Sequence, residues 1–358
     1  SPQEKQVYWR PSNRPFGLFL REDQTKMSQQ REFIAAGEAR PPFFAGVDLG
    51  GTSIKIGIVD DLGRPLSWVN VPTEVEQGPE EACRRMARGV ENAIEVAGIA
   101  RSSVVHVGLG SPGTMDIPAG MLLLPVNLKG WEHFPIRDRL GHHCGVPVAF
   151  ANDAGAAAYG EYWVGSGQQM KSLVLLTLGT GIGCGIIVND FSIDGENSHG
   201  AECGHILVDP SPEARWCNCG QRGHLEAYAS ATAVIRRTQE MLDVGLKTSI
   251  HKRIADGDAL TPKLIAEEAE AGDRLSDEII METARWLGIG LVTLIHTIDP
   301  SGVLLGGAMT FGGSESELGR RFLGRIKKEI DARAFALLAE RIQVEFAALG
   351  ADAGYIGA

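Results

Sequence analysis

The sequence predicts an α/β protein built from two related halves with a cleft between them. Short apolar runs suited to strands alternate with stretches of helical apolar spacing along most of its 358 residues. A strand, a Gly/Thr turn and a second strand open each half, with Gly50-Gly51-Thr52 in the first turn and Gly179-Thr180-Gly181 in the second. The length exceeds what one compact core serves, at roughly 150 residues per domain.

The elements follow in order. Residues 1–42 are polar, carry Arg, Gln and Pro without sustained periodicity, and read as a poorly structured extension in which Met27 is a second candidate start. From Phe43 the pattern changes to a β-meander: Phe43 to Leu49, Ser53 to Val59 and, after Asp61-Leu62-Gly63, Pro65 to Val71. Pro79 to Ala97 has helical spacing (Ala82, Met86, Val90, Ala93, Ile94, Ala97) with Pro at its start. Val104 to Leu109 and Pro147 to Phe150 suit buried strands, and alanine-rich Ala154 to Trp163 suits a helix. The second half begins with strands Leu173 to Leu178 and Ile182 to Val188. Helices are expected over Ala227 to Leu242, Thr261 to Ala271, Ser276 to Ile298 and Ser314 to Ala339. Val303 to Leu305 and Ile342 to Ala347 read as strands, and Asp352 to Gly357 as a last helical turn. The domains are accordingly expected at 43–151 and 152–358, with the last helix free to pack back on the smaller one.

Composition narrows the function. Thirty-four basic and forty-five acidic residues leave a net charge of −11, which provides no overall field for nucleic acid or an anionic membrane surface. Six cysteines are too sparse for a disulfide scaffold, and the close pair Cys217 and Cys219 reads as metal binding in a reducing compartment. The longest uncharged run, Ser172 to Asn189, is short for a membrane span and is broken by four glycines. No basic-then-apolar signal peptide is present. These features lead to the expectation of a soluble, cytoplasmic enzyme.

Four motifs carry chemistry. In Asp48-Leu49-Gly50-Gly51-Thr52 the glycines let backbone N–H groups approach an anion, the Thr adds a donor, and Asp48 can hold a hydrated Mg²⁺. A plain hairpin turn is the competing reading. The second loop, Gly179 to Gly185, lacks the Lys of a Walker loop and precedes a strand rather than a helix, so it is not a dinucleotide fingerprint. Two such loops suit two hairpins gripping a polyphosphate, and Gly306-Gly307 offers a third close approach, to a nucleoside. Asn152-Asp153 stands between an apolar strand and a helix, where Asp153 is either a cleft carboxylate or simply the helix cap. Cys217, Cys219, His224 and His205 supply four ligands for a closed tetrahedral Zn²⁺ site, unless they are simply buried thiols and unrelated histidines. Glu202 and Glu226 flank that cluster and suit vicinal hydroxyls, unless they are ordinary surface carboxylates.

Together these residues resemble the ROK family of sugar kinases (repressors, open reading frames, kinases), within the actin-like ATPase, ribonuclease H-like fold. The resemblance runs from about Phe43 to the end. It rests on Asp48-x-Gly50-Gly51-Thr52, Gly110-Ser111-Pro112-Gly113, Asn127-Leu128-x-Gly130-Trp131 and Asn152-Asp153-Ala154. It continues through Gly179-Thr180-Gly181-x-Gly183-x-Gly185, Gly200-Ala201-Glu202-Cys203-Gly204-His205 and Cys217-x-Cys219-Gly220-x-x-Gly223-His224-x-Glu226. The family's zinc loop usually has a third cysteine where this chain has His224, and imidazole is also a zinc ligand.

The resemblance implies Asp153 as general base on a sugar hydroxyl, O6, with Gly113, Asn152, Glu202, His205 and Glu226 around the sugar. It implies ATP phosphates between Gly51-Thr52 and Thr180-Gly181, bridged by Mg²⁺, and adenosine at Gly306-Gly307. His205 would present one ring nitrogen to zinc and the other to the sugar. The Glu202, His205, Glu226 set and the Gly220-to-Glu226 run look most like glucokinases, with fructose, mannose, allose and N-acetylhexosamine kinases as alternatives. The family also contains sugar-sensing transcriptional regulators with a helix-turn-helix domain in front; the proline-bearing first 42 residues show no paired helices, so that reading ranks lower. Family members are commonly homodimers or homotetramers.

Overall fold

The structure, a computed structural model, describes residues 32–125 and 127–358. In the first half, β1 (Phe43–Leu49), β2 (Ser53–Val59) and β3 (Pro65–Pro72) form an antiparallel meander. Helix α1 (Pro79–Ala97), strand β4 (Val104–Ser111), a small hairpin of β5 (Thr114–Asp116) and β6 (Met121–Leu124), helix α2 (Ile136–Cys144) and strand β7 (Val148–Asn152) follow. The sheet order is β3-β2-β1-β4-β7, with β4 and β7 parallel to β1. Helix α3 (Asp153–Trp163) leads into the second half. There β8 (Ser172–Leu178), β9 (Ile182–Val188) and β10 (Phe191–Ser192) repeat the meander. Helices α4 (Glu226–Ala229), α5 (Ala231–Asp243), α6 (Ile250–Ala255), α7 (Pro262–Glu270) and α8 (Arg274–Ile298) precede β11 (Gly302–Gly306). Helices α9 (Glu317–Arg333) and α10 (Ala336–Arg341), strand β12 (Gln343–Phe346) and helix α11 (Ala353–Gly357) complete the chain. The second sheet runs β10-β9-β8-β11-β12, the same order and directions as the first. The duplication visible in two turns therefore extends to whole sheets.

Each sheet buries one face under its own helices. Ala82, Met86, Val90, Ala93, Ile94 and Ala97 of α1 are all buried, against β1 and β2 residues such as Val47, Ile54 and Ile56. The second sheet packs Leu176, Val303 and Leu305 against α8 and α9, and that core is the larger one. Helix α8 is apolar enough in length and composition to cross a membrane, but 56% of its apolar window is buried inside the protein, which makes it the central core helix.

Two expected helices divide. Ala227 to Leu242 breaks at Ser230, which is extended (φ −79°, ψ 166°) and accepts the Ala233 N–H on its side chain, so a new helix starts there. Ser314 to Ala339 contracts to α9, capped by Ser316, and Ala334 leaves the helical region before α10 begins. Helices α2 and α6 and the β5–β6 hairpin escape sequence reading because they are short; α2 buries only Ile136, Leu140 and Cys144.

Helices α3 and α11 lie between the sheets. Strands β1 and β4 reach α11 through Gly46 and Gly108, where an added Cβ would sit 1.7 Å from the carbonyl oxygens of Tyr355 and Ala358. Buried Glu161 on α3 accepts N–H groups from Ser166 (2.9 Å), Ala348 (3.1 Å) and Leu349 (2.6 Å). That carboxylate ties α3 to the loop entering α11, and so fixes the helix whose first residue is Asp153.

Candidate active site

Strands β1, β4 and β7 are parallel and end together. The register pairs Asp48 with Gly110 and Ser111 with Asn152, which sets Asp48 and Asn152 on either side of β4. Two strand spacings separate them, about 10 Å. Ligands in α/β sheets bind beyond such carboxyl ends.

Asn152, not Asp153, caps α3. Its Oδ1 accepts the N–H groups of Ala154 (2.9 Å) and Gly155 (3.2 Å), which leaves its amide NH₂ for other partners. Asp153 therefore stands free of the cap role that competed with a chemical one, although its own Oδ1 also lies 2.8 Å from the Ala154 N–H. No Lys or Arg pairs with Asp153 among the described residues. Burial pushes its carboxyl up to about 6 against the pull of the Ala154 N–H, and the negative charges of Asp48 and Glu202 push the same way. Residues from three distant segments thus converge on one carboxyl group.

The first Gly/Thr turn is held by its own sheet. Gly50 N–H donates to Ser53 O (3.0 Å), Thr73 N–H to Thr52 O (2.9 Å) and the Thr73 hydroxyl to Gly50 O (2.6 Å). Gly51 and the Thr52 side chain stay exposed. Across the hairpin Asp48 faces Lys55, whose Nζ is 3.2 Å from Asp48 Oδ2. Sequence reading missed Lys55. Its signal was the hairpin register, since pairing outward from the turn places it opposite Asp48. Asn127 was missed as a site residue too: its carbonyl oxygen lies 3.4 Å from where a Gly51 Cβ would be, so it overhangs the turn. Trp131 of the same motif is fully buried and donates to Val75 O (3.1 Å), which anchors the segment. Gly113 (φ +92°) lies against Pro125, bringing the exit of β4 to the same place.

The second turn is held from outside its sheet. Ala231 N–H donates to Gly179 O (2.9 Å), the Thr232 hydroxyl to Thr180 O (2.8 Å), and Glu226 Oε2 accepts the Ile182 N–H (3.0 Å). Gly307 (φ +87°) folds onto Leu178 at the entrance to this turn, and Met309 N–H bonds Leu178 O (3.0 Å). Gly306 is buried at the end of β11. The structure thus brings Gly306-Gly307 beside Thr180-Gly181.

The Cys/His residues converge as well. One ligand atom from each of His205, Cys217, Cys219 and His224 lies within 4.8 Å of all the others. Cys217 Sγ is 3.7 Å from His205 Nδ1, and Cys219 Sγ is 3.2 Å from His224 Nδ1. Tetrahedral zinc separates its ligands by about 3.5 Å, so this donor set fits the ion in both chemistry and spacing. Burial pushes the Cys217 thiol up to about 12, so it holds its proton until a cation displaces it. With Nδ1 turned to the cluster, His205 directs Nε2 toward Glu202, 4.0 Å away.

Comparison with known proteins agrees with this geometry. The ROK family model matches residues 44–358. The chain belongs to the ROK family. Among ROK relatives, a glucokinase of Thermotoga maritima is 34% identical over 87% of this chain and 95% of its own length. A glucokinase of Halalkalibacterium halodurans is 32% identical, over 88% and 93%. A ROK glucokinase from Streptomyces griseus, solved with glucose and AMPPNP, superposes with a TM-score of 0.71 at 34% identity, covering 88% of this chain and 97% of that one. The two-sheet architecture is therefore the actin-like ATPase fold of ROK proteins. As a ROK protein, this chain carries two glycine turns, a carboxylate at the start of α3 with no Lys or Arg partner among the described residues, and a Cys/His cluster beside Glu202 and Glu226.

Proposed function

We propose that this ROK protein is an ATP-dependent sugar kinase that phosphorylates O6 of a hexose, with glucose as its preferred substrate. The observation that carries the reading is Asp153, an unpaired carboxyl raised to about 6 at the start of α3, with a Gly/Thr hairpin of each half nearby. A base titrating just below neutral pH is ionised at work yet retains proton affinity. The glucokinase relatives and the neighbour solved with glucose and AMPPNP support ATP as donor and glucose as acceptor.

In this reading the turns at Gly51-Thr52 and Thr180-Gly181 meet the ATP phosphates, and Gly306-Gly307 meets the adenosine. Asp48, with Thr52, has the oxygen donors that suit a hydrated Mg²⁺, which would screen charge on the phosphates. Lys55 adds a positive charge beside Asp48. The sugar lies among Gly113, the Asn152 amide, Glu202, His205 and Glu226. Asp153 takes the proton from O6 as that oxygen attacks the γ-phosphorus and ADP leaves. Most of the acceleration is then positioning plus electrostatics. His205, Cys217, Cys219 and His224 would hold Zn²⁺ as a closed site that orders the sugar side of the cleft without an open position for chemistry.

The same proposal takes 43–151 and 152–358 as the two moving bodies, a cytoplasmic location and a homodimer or homotetramer. The test is ADP release from Mg-ATP across a panel of hexoses, with sugar-free controls. Strong turnover with glucose and weak turnover with its epimers and N-acetyl derivatives is expected. Sugar binding without turnover on any hexose would overturn the kinase reading in favour of a sensor.

A further inference from the structure

Glu226 belongs, by its neighbours in sequence, to the metal and sugar side of the cleft, two residues after His224. Its carboxylate nevertheless reaches the other side. Oε2 accepts the Ile182 N–H at 3.0 Å, and Oε1 lies 3.6 Å from Cys217 Sγ. The approach needs a glycine, because a Cβ on Gly181 would sit 2.4 Å from Oε2. Farther along the same segment, Ala231 N–H and the Thr232 hydroxyl take Gly179 O and Thr180 O. Three backbone groups of the second Gly/Thr turn are thus bound by residues 226–232. Among the described residues the first turn has no such strap; Thr73 of its own half performs that service.

We infer that Glu226 is a positioning residue for the nucleotide loop, and that residues 226–232 form a strap through which the metal and sugar side of the cleft sets the conformation that binds ATP phosphates. This rests on the phosphoryl-transfer reading. A turn that must present N–H groups to phosphate cannot also be free to rotate them away. The carboxylate holds the Ile182 peptide, and Thr232 holds the Thr180 carbonyl, so the intervening Gly181 peptide is pinned from both ends. Without the strap, the loop would have to be ordered at the expense of nucleotide binding. A residue that touched only sugar would leave nucleotide affinity untouched while the sugar is absent.

The test is calorimetric binding of a non-hydrolysable ATP analogue with Mg²⁺ to the full chain, without sugar. Glu226→Ala is expected to weaken analogue binding about fivefold to tenfold, the scale of one hydrogen bond's net contribution. Glu226→Gln should restore most of it, because an amide oxygen still accepts the Ile182 N–H, even where its sugar affinity falls. Thr232→Val should weaken the analogue about twofold with sugar affinity unchanged. Equal analogue affinity in wild type and in folded Glu226→Ala would overturn the inference. If Glu226→Ala does not fold, unchanged analogue affinity in Thr232→Val overturns it instead. A wild-type protein that binds no analogue would remove the phosphoryl-transfer reading as well, so the two failures are distinguishable.

Discussion

The two Gly/Thr turns share one strand pattern and differ in charge and in anchorage. The first carries an ion pair, Asp48 with Lys55, and is closed by Thr73 of its own sheet. The second has no charged side chain of its own and is held by Glu226, Ala231 and Thr232, beyond the Cys/His cluster in sequence. A duplicated fold has thus divided its labour. In the phosphoryl-transfer reading proposed above, one copy would supply charge near the reacting phosphate, while the other would supply a loop whose shape depends on the sugar side.

The largest effect should come from the carboxylate that sits between the copies. Asp153→Asn is expected to lower turnover by about 10³- to 10⁴-fold with sugar binding largely intact, measured by steady-state kinetics beside calorimetry. The same substitution should stabilise the protein. Asp153 is raised to about 6 from an ordinary 3.8, so the folded state binds the extra proton between those values and stability falls as pH rises through that window. Well above pH 6 the ionised carboxylate therefore costs on the order of 3 kcal/mol, and little at pH 4. Melting curves at both pH values check this; a mutant no more stable than wild type at pH 8 would tell against the raised carboxyl.

The charged turn is tested next. Lys55→Met should cost roughly 10- to 100-fold in kcat/KM, at the lower end of what a positioned electrostatic group supplies. It should also move the acid limb of the kcat/KM profile upward from about 6, because Asp48 would then act on Asp153 without its partner. A profile that keeps its acid limb in place would reduce Lys55 to a structural role. Replacing Cys217 by Ser should lower metal content and melting temperature together, since a zinc bound at this cluster would contribute folding free energy. An unchanged melting temperature with no zinc in the wild type would dismiss the metal. The smallest effect lies beside Glu202, where Ala201 has a left-handed φ of +61°. Ala201→Gly relieves that strain and should add no more than about 1 kcal/mol, read from denaturant unfolding.

Local signals made the fold legible. Helix α1 was bounded correctly because Pro79 opens it, Gly98 (φ +66°) closes it and its buried stripe has the helical period. The β1–β2 and β8–β9 hairpins were legible because their turn residues are few in kind and their strands alternate or run apolar. Ser230 was harder: the apolar stripe continues through it, and only its contact with Ala233 shows that one helix has become two. In the site, the Cys/His cluster was readable because its four ligands lie within twenty residues of chain. Lys55 was hidden inside a strand, where a charged residue on an alternating face attracts no notice.

Alone, the sequence determined the order of the longer strands and helices, the duplicated plan and most of the residues that chemistry could use. Those depend on side-chain period, turn chemistry and spacing, all of which act over a few residues. Tertiary structure alone decided which atom of each residue is spent and on what. Asn152 rather than Asp153 caps α3, so the carboxyl remains available; Glu226 turns to a peptide 44 positions earlier; and α11 lands on the glycines of the first sheet. Such choices are settled by burial and by competition for N–H groups brought together from distant parts of the chain, and no local pattern carries that information.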